Sequence, residues 1–408
     1  MQAKPPLLSV VDASELLLNA AVAVGEIENL PTLNANGRVL AADQVAQINV
    51  PGMDNSQMDG YAVRAADCSS GTARLPVSQR IAAGHVGTAL APGTAARIFT
   101  GAMVPAGADA IVMQEDCEPD GDDVIIRATP TAGQWIRRVG EDITSGAIIL
   151  PAGGRLRAQE LGLAASVGLA TLPVLRKLRV AVFFTGDELT MPGETLAPGA
   201  IYNSNRFLLR GLLENLGCEV SDYGIVPDQL QATRETLRAA AANHDLIITS
   251  GGVSVGEEDH VRPAVQAEGR LNMWQIAMKP GKPLAFGEID RAAGGKAFFF
   301  GLPGNPVSTF VTFLIFVRPF LLRLQGVQQV QPRVLHMRAD FDWPRADRRQ
   351  EFLRARFNDT GGLDLFAHQG SGVLTSTVWA DGLIDNAPGQ TIVAGDQVRF
   401  LSFAELLH

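Results

Sequence analysis

The chain lacks the residue patterns that hold a disulfide scaffold or a zinc site. Its 408 residues include three cysteines, Cys68, Cys117 and Cys218, which lie far apart and form no CxxC pair. The six histidines show no HxxxH spacing. An odd number of isolated cysteines argues against a disulfide framework and favours a reducing compartment.

Positive charge and long apolar runs are also scarce. Lys and Arg number 34 against 43 Asp and Glu, for a net charge of −9. This balance argues against a general nucleic-acid binder, although it permits a local basic pocket. The N-terminus shows no signal-peptide pattern, and the apolar run 307–317, of about eleven residues, is shorter than a bilayer span. We therefore expect a cytoplasmic protein with no nucleic-acid or membrane partner, and a buried helix that contains that run and spans residues 305–324.

Periodicity predicts several domains. From residue 178 onward, short apolar runs alternate with helical segments, which predicts a doubly wound, mostly parallel sheet. Residues 63–142 and 333–403 are rich in short β segments, and 326–332 has the composition of a linker. Near the N-terminus, the spacing of Asp12 and Glu15 predicts the start of a helix that ends before Gly25.

The stretch 245–306 carries a candidate anion site. A predicted buried strand is followed by Gly251, Gly252 and Ser254, where glycines let backbone amides face a ligand. Lys279 and Lys282 flank a Pro-Gly turn that holds the two cations close together. These features predict a phosphorylated or oxyanionic ligand. The alternative is that the glycines only form a strand–helix turn.

Acidic residues follow several predicted strands. Glu188, Asp228 and Asp259 each come just after one, and in doubly wound sheets ligands bind beyond the carboxyl ends of the strands. Carboxylate oxygens are ligands that Mg²⁺ prefers, and Mg²⁺ bridging phosphate oxygens favours attack by water on a phosphoanhydride. The residues therefore predict hydrolysis or transfer at a nucleotide-linked phosphate. No nucleophile–His pair supports covalent catalysis.

Ordered motifs along nearly the whole chain resemble one known family. It is the molybdopterin molybdenumtransferase family, the MoeA type, which also occurs as the E domain of gephyrin. The motifs that carry the resemblance occupy residues 56–62, 100–109, 137–142, 185–189, 251–259, 279–283 and 302–306.

The resemblance implies a multidomain α/β and β fold. Its doubly wound, mostly parallel sheet domain of the molybdopterin-binding type would be accompanied by a split elongated N-terminal domain, an inserted β-domain and a small C-terminal β-barrel. The corresponding ranges are 178–326, 1–45 plus 143–177, 46–142 and 327–408. The resemblance also implies a homodimer whose active site lies between the sheet domain of one subunit and the β-domain of the other.

The reaction that the resemblance implies uses molybdate and adenylylated molybdopterin. The adenylate is hydrolysed with Mg²⁺, AMP leaves, and molybdenum is inserted at the dithiolene to give the molybdenum cofactor. Implied partners are the molybdopterin adenylyltransferase and the proteins that accept the cofactor. The matching catalytic positions are Asp59, Thr100, Arg137, Asp142, Glu188, Asp228 and Asp259, of which Glu188, Asp228 and Asp259 are also the candidate metal ligands. The matching cofactor-binding positions are Gly251, Gly252, Ser254, Lys279, Lys282, Pro303, Asn305, Arg349 and Ser371.

Two departures and two alternatives stay open. Glu257 and Glu258 stand where the family commonly has an aspartate and an aromatic residue, and they add negative charge beside an anion site. Arg348 could fill the role assigned to Arg349. The chain could instead be a molybdopterin adenylyltransferase, which the additional domains argue against. It could also be a gephyrin-like binding scaffold, which the lack of a long disordered linker argues against.

Overall fold

The computed structural model describes residues 7–252 and 260–407. The predictions made for Ser254, Glu257, Glu258 and Asp259 fall outside this part of the chain. The described residues form three six-stranded sheets, together with shorter two-stranded pairs.

The central sheet is mixed but mostly parallel. Its strands, in spatial order, are Glu219–Val226, Arg179–Thr185, Leu246–Ser250, Lys296–Leu302, Pro283–Asp290 and Gly269–Gln275. The first four run parallel, and the last two add antiparallel pairs at one edge. Strand Leu246–Ser250 is buried along its whole length and Lys296–Leu302 along most of it, as expected of strands covered on both faces. The prediction of a doubly wound, mostly parallel sheet is confirmed.

Helices cover both faces of this sheet. One face packs against helices Val10–Ala20 and Ser204–Asn215 and the helical segment 306–324. The other face packs against helices Leu230–Asn243 and Val261–Glu268. The first core contains a group of mutually packed phenylalanine rings whose centroids lie 5.0–6.1 Å apart: Phe286, Phe298, Phe300 and Phe320. The sheet is therefore held rigidly from both sides, which fixes the strand ends that carry the candidate site.

One helical segment extends on the C-terminal side beyond the apolar run 307–317. It comprises helix Pro306–Thr312, a π-helical turn Phe313–Val317 and helix Arg318–Leu324. At 19 residues and a mean hydropathy of 1.7, it is the one helix in the described chain that could cross a membrane by length and composition, yet 89% of its apolar stretch is buried in the protein. The buried helix predicted over 305–324 is confirmed.

The N-terminal half contains a β-sheet and the segments that flank it. The sheet, in spatial order, consists of Ala110–Met113, Gly60–Val63, Ala95–Ile98, Ala73–Ile81, Asp123–Ile126 and Cys117–Asp120. On either side of it in sequence, strands Ile27–Pro31 and Thr171–Leu175 pair, as do Gln44–Val45 and Ile148–Leu150. Helix Ala158–Ser166 follows the latter. Chain segments far apart in sequence thus form one elongated body, while the exact domain boundaries stay predictions.

The first helix begins earlier than predicted. Its N-cap is Ser9, whose hydroxyl accepts a hydrogen bond from the Asp12 amide at 3.1 Å, and the helix ends at Ala20. The cap predicted at Asp12 is therefore wrong, because Asp12 lies inside the first turn. In that position its negative charge still interacts favourably with the positive end of the helix dipole.

The C-terminal sheet closes into a small barrel. In order it contains Met278–Lys279, Gln350–Phe357, Gly382–Asn386, Gln397–Ser402 and Leu335–Arg338, with Leu363–Leu365 paired to Gln350–Phe357. A bridge between Ala339, which follows Leu335–Arg338, and Leu363 closes the strands from Leu335–Arg338 round to Leu363–Leu365 into a ring. The predicted barrel is confirmed. It borrows one short strand, Met278–Lys279, from the neighbouring domain.

A buried ion pair ties the elongated body to the central sheet. The Arg176 guanidinium donates to both carboxylate oxygens of Asp245, at 2.7 and 2.8 Å, and both side chains are about nine-tenths buried. Burial is the largest single influence and raises the pKa of Asp245, but the hydrogen bonds from Arg176 and the Arg179 amide, together with nearby positive charge, outweigh it and hold that pKa below its ordinary value. The pair therefore stabilises the fold above the unfolded-state pKa of about 4 and is lost as pH falls through the folded-state pKa.

Asp245→Asn is expected to lower the free energy of unfolding by about 2 kcal/mol at pH 7, because it leaves Arg176 without its main counter-charge. Urea denaturation at several pH values checks this, with the exposed Asp120→Asn as the control, whose cost should be near zero. The gap between Asp245→Asn and the parent should close below about pH 4. A gap that stays constant down to pH 3 would contradict the assignment.

Candidate active site

A cleft of about 590 Å³ lies where the carboxyl edge of the central sheet meets the C-terminal barrel. Nine of the predicted site residues line it. They are Glu188, Gly251, Gly252, Lys279, Lys282, Pro303, Asn305, Arg349 and Ser371. The other described lining residues are Pro280, Gly281, Pro283, Gly304, Ser308, Gln369 and Gly370. The structure thus brings together groups that are widely separated in sequence.

Three neighbouring strand ends supply the floor of the cleft. Glu188, Gly251 and Pro303 follow strands that lie side by side in the sheet. Gly251 has φ +93°, and a Cβ there would lie 2.9 Å from the Thr185 carbonyl oxygen. A side chain would therefore force the strand ends apart, which gives the first glycine of the motif a steric reason as well as a conformational one.

Neutral buried side chains hold these loops in place. The Asn205 amide nitrogen donates to the Ser250 hydroxyl at 2.8 Å and to the Gly304 carbonyl at 2.7 Å. The hydroxyls of Ser250 and Thr309 both donate to the Pro303 carbonyl. These roles were not predicted from the sequence. The helix that carries Asn205 is capped by Asn203, whose side chain accepts a hydrogen bond from the Arg206 amide.

Lys279 is held by a buried carboxylate that the sequence analysis also missed. Its Nζ lies 2.9 Å from Oε1 of Glu351 and 3.6 Å from Oδ2 of Asp347. Glu351 is about 1% exposed, is the register partner of Lys279 across the barrel sheet, and accepts a second hydrogen bond from Trp343 Nε1 at 2.8 Å. The barrel therefore fixes where this lysine presents its charge.

Arg349 lines the cleft, whereas Arg348 is not among the described residues that do. The Nε and Nη2 atoms of Arg349 donate to the two carboxylate oxygens of Asp347 at 3.0 and 2.7 Å. These hydrogen bonds hold the pKa of Asp347 far below its usual range and raise that of Arg349. The pair stays ionised at neutral pH, with the guanidinium fixed beside the cleft.

The charges of the cleft suit an oxyanion. Lys279, Lys282 and Arg349 contribute cations, and Glu188 is the carboxylate among the described lining residues. Planar guanidinium and ammonium groups both bind phosphate-like oxygens through charge-assisted hydrogen bonds.

A metal site is only partly supported by the described residues. Within 7–252 and 260–407, no group of three or more His, Cys, Asp or Glu side chains could hold a metal ion. Asp259 lies outside this part of the chain. Asp228 follows strand Glu219–Val226 at the same sheet edge but is not among the described residues that line the cleft. Glu188 remains, and Mg²⁺ commonly binds one or two carboxylates together with substrate phosphates and waters. Glu188 fits that ligand set, and the three-carboxylate site stays a prediction.

Four predicted catalytic residues lie in another part of the chain. Asp59, Thr100, Arg137 and Asp142 belong to the N-terminal β region and are not among the described residues that line the cleft. Asp59 Oδ1 accepts hydrogen bonds from the Thr100 amide at 2.8 Å and from its hydroxyl at 2.7 Å. Both hydrogen bonds lower the pKa of Asp59, and the one from the amide has the larger effect.

The two other residues of this group, Arg137 and Asp142, are exposed. The neighbouring Arg138 pairs with Asp54, and the guanidinium lies 2.6 Å from that carboxylate. Within one chain, Asp59 and Thr100 are joined to each other but not to the cleft.

Gly281 sets the shape of the turn between the two cleft lysines. Its φ is +108°, and a Cβ would lie 2.4 Å from Oγ1 of Thr312. Gly281→Ala is therefore expected to destabilise the fold by about 2–4 kcal/mol and to weaken oxyanion binding, because both strain and a buried clash are introduced.

The matched control is Gly295→Ala, where φ is +81° but nothing lies within 4 Å of the added Cβ. It carries the conformational cost alone, about 1–2 kcal/mol, and should leave anion binding intact. Thermal unfolding and molybdate titration measure both effects. Equal behaviour of the two variants would show that the contact with Thr312 is unimportant.

Comparison with known proteins assigns the family. The model of the MoeA N-terminal region (domain I and II) matches residues 8–168, the probable molybdopterin binding domain matches 181–323, and the MoeA C-terminal region (domain IV) matches 336–403. A Haemophilus influenzae protein named molybdopterin molybdenumtransferase is 38% identical, and the match covers 98% of this chain and 100% of that protein. The chain belongs to the molybdopterin molybdenumtransferase family.

Further members of the molybdopterin molybdenumtransferase family agree with this assignment. The Nostoc enzyme is 34% identical over 95% of this chain and 92% of its own, and molybdopterin molybdenumtransferase 2 of Mycobacterium tuberculosis is 40% identical over 87% and 90%. A crystal structure of the molybdopterin biosynthesis moeA protein from Pyrococcus horikoshii superimposes with a TM-score of 0.85 at 28% identity, covering 98% of this chain and 100% of that one. As a member of this family the chain is a transferase, and its multidomain fold is confirmed.

Proposed function

We propose that this chain inserts molybdenum from molybdate into molybdopterin, through Mg²⁺-dependent hydrolysis of adenylylated molybdopterin with release of AMP. The names of the relatives support molybdenum insertion into molybdopterin. The observation that carries the finer proposal is the cleft itself, where three cations and one carboxylate face the same space at the carboxyl ends of parallel strands.

The cations bind and orient the anionic substrates. Lys282 and Arg349 line the cleft from the sheet domain and the barrel respectively, so an oxyanion between them is held from two sides. Lys279, anchored by Glu351, adds a charge whose position is fixed before the ligand arrives. Such preorganised donors stabilise charge on a transferring phosphoryl group without reorganisation cost.

Glu188 would hold Mg²⁺ together with substrate phosphate oxygens. When bound, Mg²⁺ supplies neutralisation of phosphate charge. The carboxylate side chain folds back over Gly186, whose Cβ position lies 2.6 Å from Glu188 Oε2, so only glycine permits this orientation. Water then displaces AMP from the phosphoanhydride, and the cleft cations hold the phosphate that remains on molybdopterin.

The direct test is AMP release from adenylylated molybdopterin by the purified protein. Release should require both molybdate and Mg²⁺. Release that ignores molybdate would overturn the insertase proposal, and consumption of ATP would instead favour an adenylyltransferase. Stable binding of the substrate without turnover under any of these conditions would favour a scaffold.

We further propose that the enzyme is a cytoplasmic homodimer, supplied by a molybdopterin adenylyltransferase and delivering to proteins that accept the molybdenum cofactor. The position of Asp59 and Thr100 away from the cleft of their own chain supports a site completed by the partner subunit. The supplier and acceptors follow from the chemistry of the substrate and product.

Mixing two inactive variants tests the shared site. Asp59→Asn and Glu188→Gln homodimers should each be inactive. After subunit exchange, half of the dimers are mixed and each has one intact site, so about a quarter of the parental AMP release should return. The control is the same mixture kept below the temperature of subunit exchange. No recovery after proven exchange would place Asp59 and Glu188 in the site of a single chain.

A further inference from the structure

Arg354 is a buried cation behind the wall of the cleft. It lies in strand Gln350–Phe357 and is completely inaccessible to solvent. Its guanidinium donates to the carbonyls of Phe352 at 2.9 Å and Gly370 at 3.4 Å, and to the Ser376 hydroxyl at 3.2 Å. All three partners are neutral. Burial lowers the pKa of Arg354 to about 10, so the group still carries its charge at neutral pH.

No carboxylate of the described chain lies within ion-pair distance of this guanidinium. The neighbouring arginines differ, because Arg349 contacts Asp347 and Arg356 lies 3.7 Å from Asp364. A buried charge without a counter-charge opposes folding, and such groups are usually paired or neutralised. The charge of Arg354 therefore calls for an opposing charge that the described residues do not supply.

The cleft is an open space beside Arg354 that could hold such a charge. Gln369, Gly370 and Ser371 line it, and the first two contact Arg354. Gln369 clamps the Arg354 backbone in both directions, accepting from its amide at 2.9 Å and donating to its carbonyl at 3.0 Å. On the far side, the Ser371 carbonyl accepts from the Val307 amide at 3.0 Å. The wall 369–371 is thus fixed between the buried arginine and the helix of the sheet domain.

We propose that Arg354 is a positioning residue of the oxyanion site, which holds the wall 369–371 in place and sets an unneutralised positive charge directly behind it. The bound anion then supplies the missing counter-charge through the wall, while Arg349 and the lysines make the direct contacts. The inference rests on the proposed function only in taking the ligand of the cleft to be an oxyanion such as molybdate.

Charge and shape are separated by two substitutions at this position. Arg354→Met removes the charge and keeps most of the volume, whereas Arg354→Lys keeps the charge. The control is Arg356→Met on the same strand, whose side chain is 46% exposed and lies over the Trp379 ring. Molybdate alone is the probe, titrated calorimetrically into folded full-length protein, with thermal unfolding as the check on folding.

Arg354→Met should weaken molybdate binding about tenfold or more, because a dianion loses a nearby charge in a low-dielectric setting. Arg354→Lys should stay within about threefold of the parent, and Arg356→Met should bind normally. The dependence of binding on salt should become shallower in Arg354→Met only. A purely structural role would lower thermal stability without this split between the methionine and lysine variants.

Normal molybdate binding by folded Arg354→Met would overturn the inference, as would an equal loss in the lysine variant. If the methionine variant does not fold, Arg354→Lys decides alone, and a loss beyond about tenfold or an altered salt dependence counts against the proposal. AMP release by the parent protein is measured in parallel. A parent that binds molybdate but never transfers molybdenum would overturn the proposed function and leave the result for Arg354 standing.

Discussion

Lys279→Met is expected to reduce AMP release about a hundredfold or more and to destabilise the protein at the same time. The loss of activity follows from removing a preorganised cation from the cleft, where single electrostatic donors typically contribute two to three orders of magnitude in rate. The loss of stability follows because Glu351, about 1% exposed, is left without the ammonium group 2.9 Å away.

The stability cost should be about 2 kcal/mol. Breaking a fully buried pair costs about 3–5 kcal/mol, but here the lysine is 37% exposed and Trp343 still donates to the carboxylate. Lys296→Met is the matched control, since that exposed lysine pairs with Glu288 in the hairpin away from the cleft. It should change neither activity nor stability by much.

The double variant Lys279→Met with Glu351→Gln separates the two effects. Removing the carboxylate charge should recover most of the lost stability, as measured by urea denaturation, while AMP release stays low. Recovery of activity in the double variant would show that Lys279 acts on the fold rather than on the anion. Normal AMP release by the single Lys279→Met variant would contradict the proposed role of Lys279 in binding the anionic substrate.

Glu188→Gln is expected to reduce AMP release about a hundredfold at saturating Mg²⁺ while leaving molybdate binding equal or tighter. The neutral amide is a much weaker Mg²⁺ ligand than the carboxylate, and the substitution removes a negative charge from a cleft that otherwise presents Lys279, Lys282 and Arg349. Rates over a range of Mg²⁺ concentrations, together with molybdate titration, measure both halves of this expectation.

Glu194→Gln serves as the control for Glu188→Gln. Glu194 lies in the same stretch of chain, but its carboxylate accepts from the Met191 amide rather than lining the cleft. It should retain the parental Mg²⁺ dependence. If Glu188→Gln kept normal activity, or lost activity together with molybdate binding, the proposed metal role of Glu188 would fail.

The parts of the site that could be predicted from the sequence are those formed by short motifs of consecutive residues. Gly251 and the Pro-Gly turn between Lys279 and Lys282 are motifs in which neighbouring residues determine each other's conformation. Glu188 was found because strand ends of a parallel sheet share one edge. These features depend on a few consecutive residues and on a general property of the fold.

The residues that position these groups could not be predicted in the same way. Glu351 and Arg354 lie in a strand whose alternation shows only that it is a strand. The role of Glu351 depends on a two-residue pairing with Met278–Lys279, and that of Arg354 on contacts with residues 369–376. Arg354 in particular is a charged residue in the barrel, and nothing in its neighbours distinguishes it from the exposed Arg356. Only packing decides which arginine is buried.

The helical segment 306–324 continues through Pro319, although proline usually interrupts a helix. The π-helical turn 313–317 precedes a new helical segment in which Pro319 occupies the first turn, where its missing amide costs little. The helix therefore continues to Leu324.

The pairing of Met278–Lys279 with Gln350–Glu351 attaches the lysine to the barrel, so that the two must move together. The backbone register and the ion pair both join the lysine to the barrel, although its own chain segment emerges from the sheet domain. A barrel that swung away from the sheet would either carry Lys279 out of the cleft or strip it from Glu351. The contact between the barrel and the sheet domain and the placement of the Lys279 charge in the cleft therefore depend on each other.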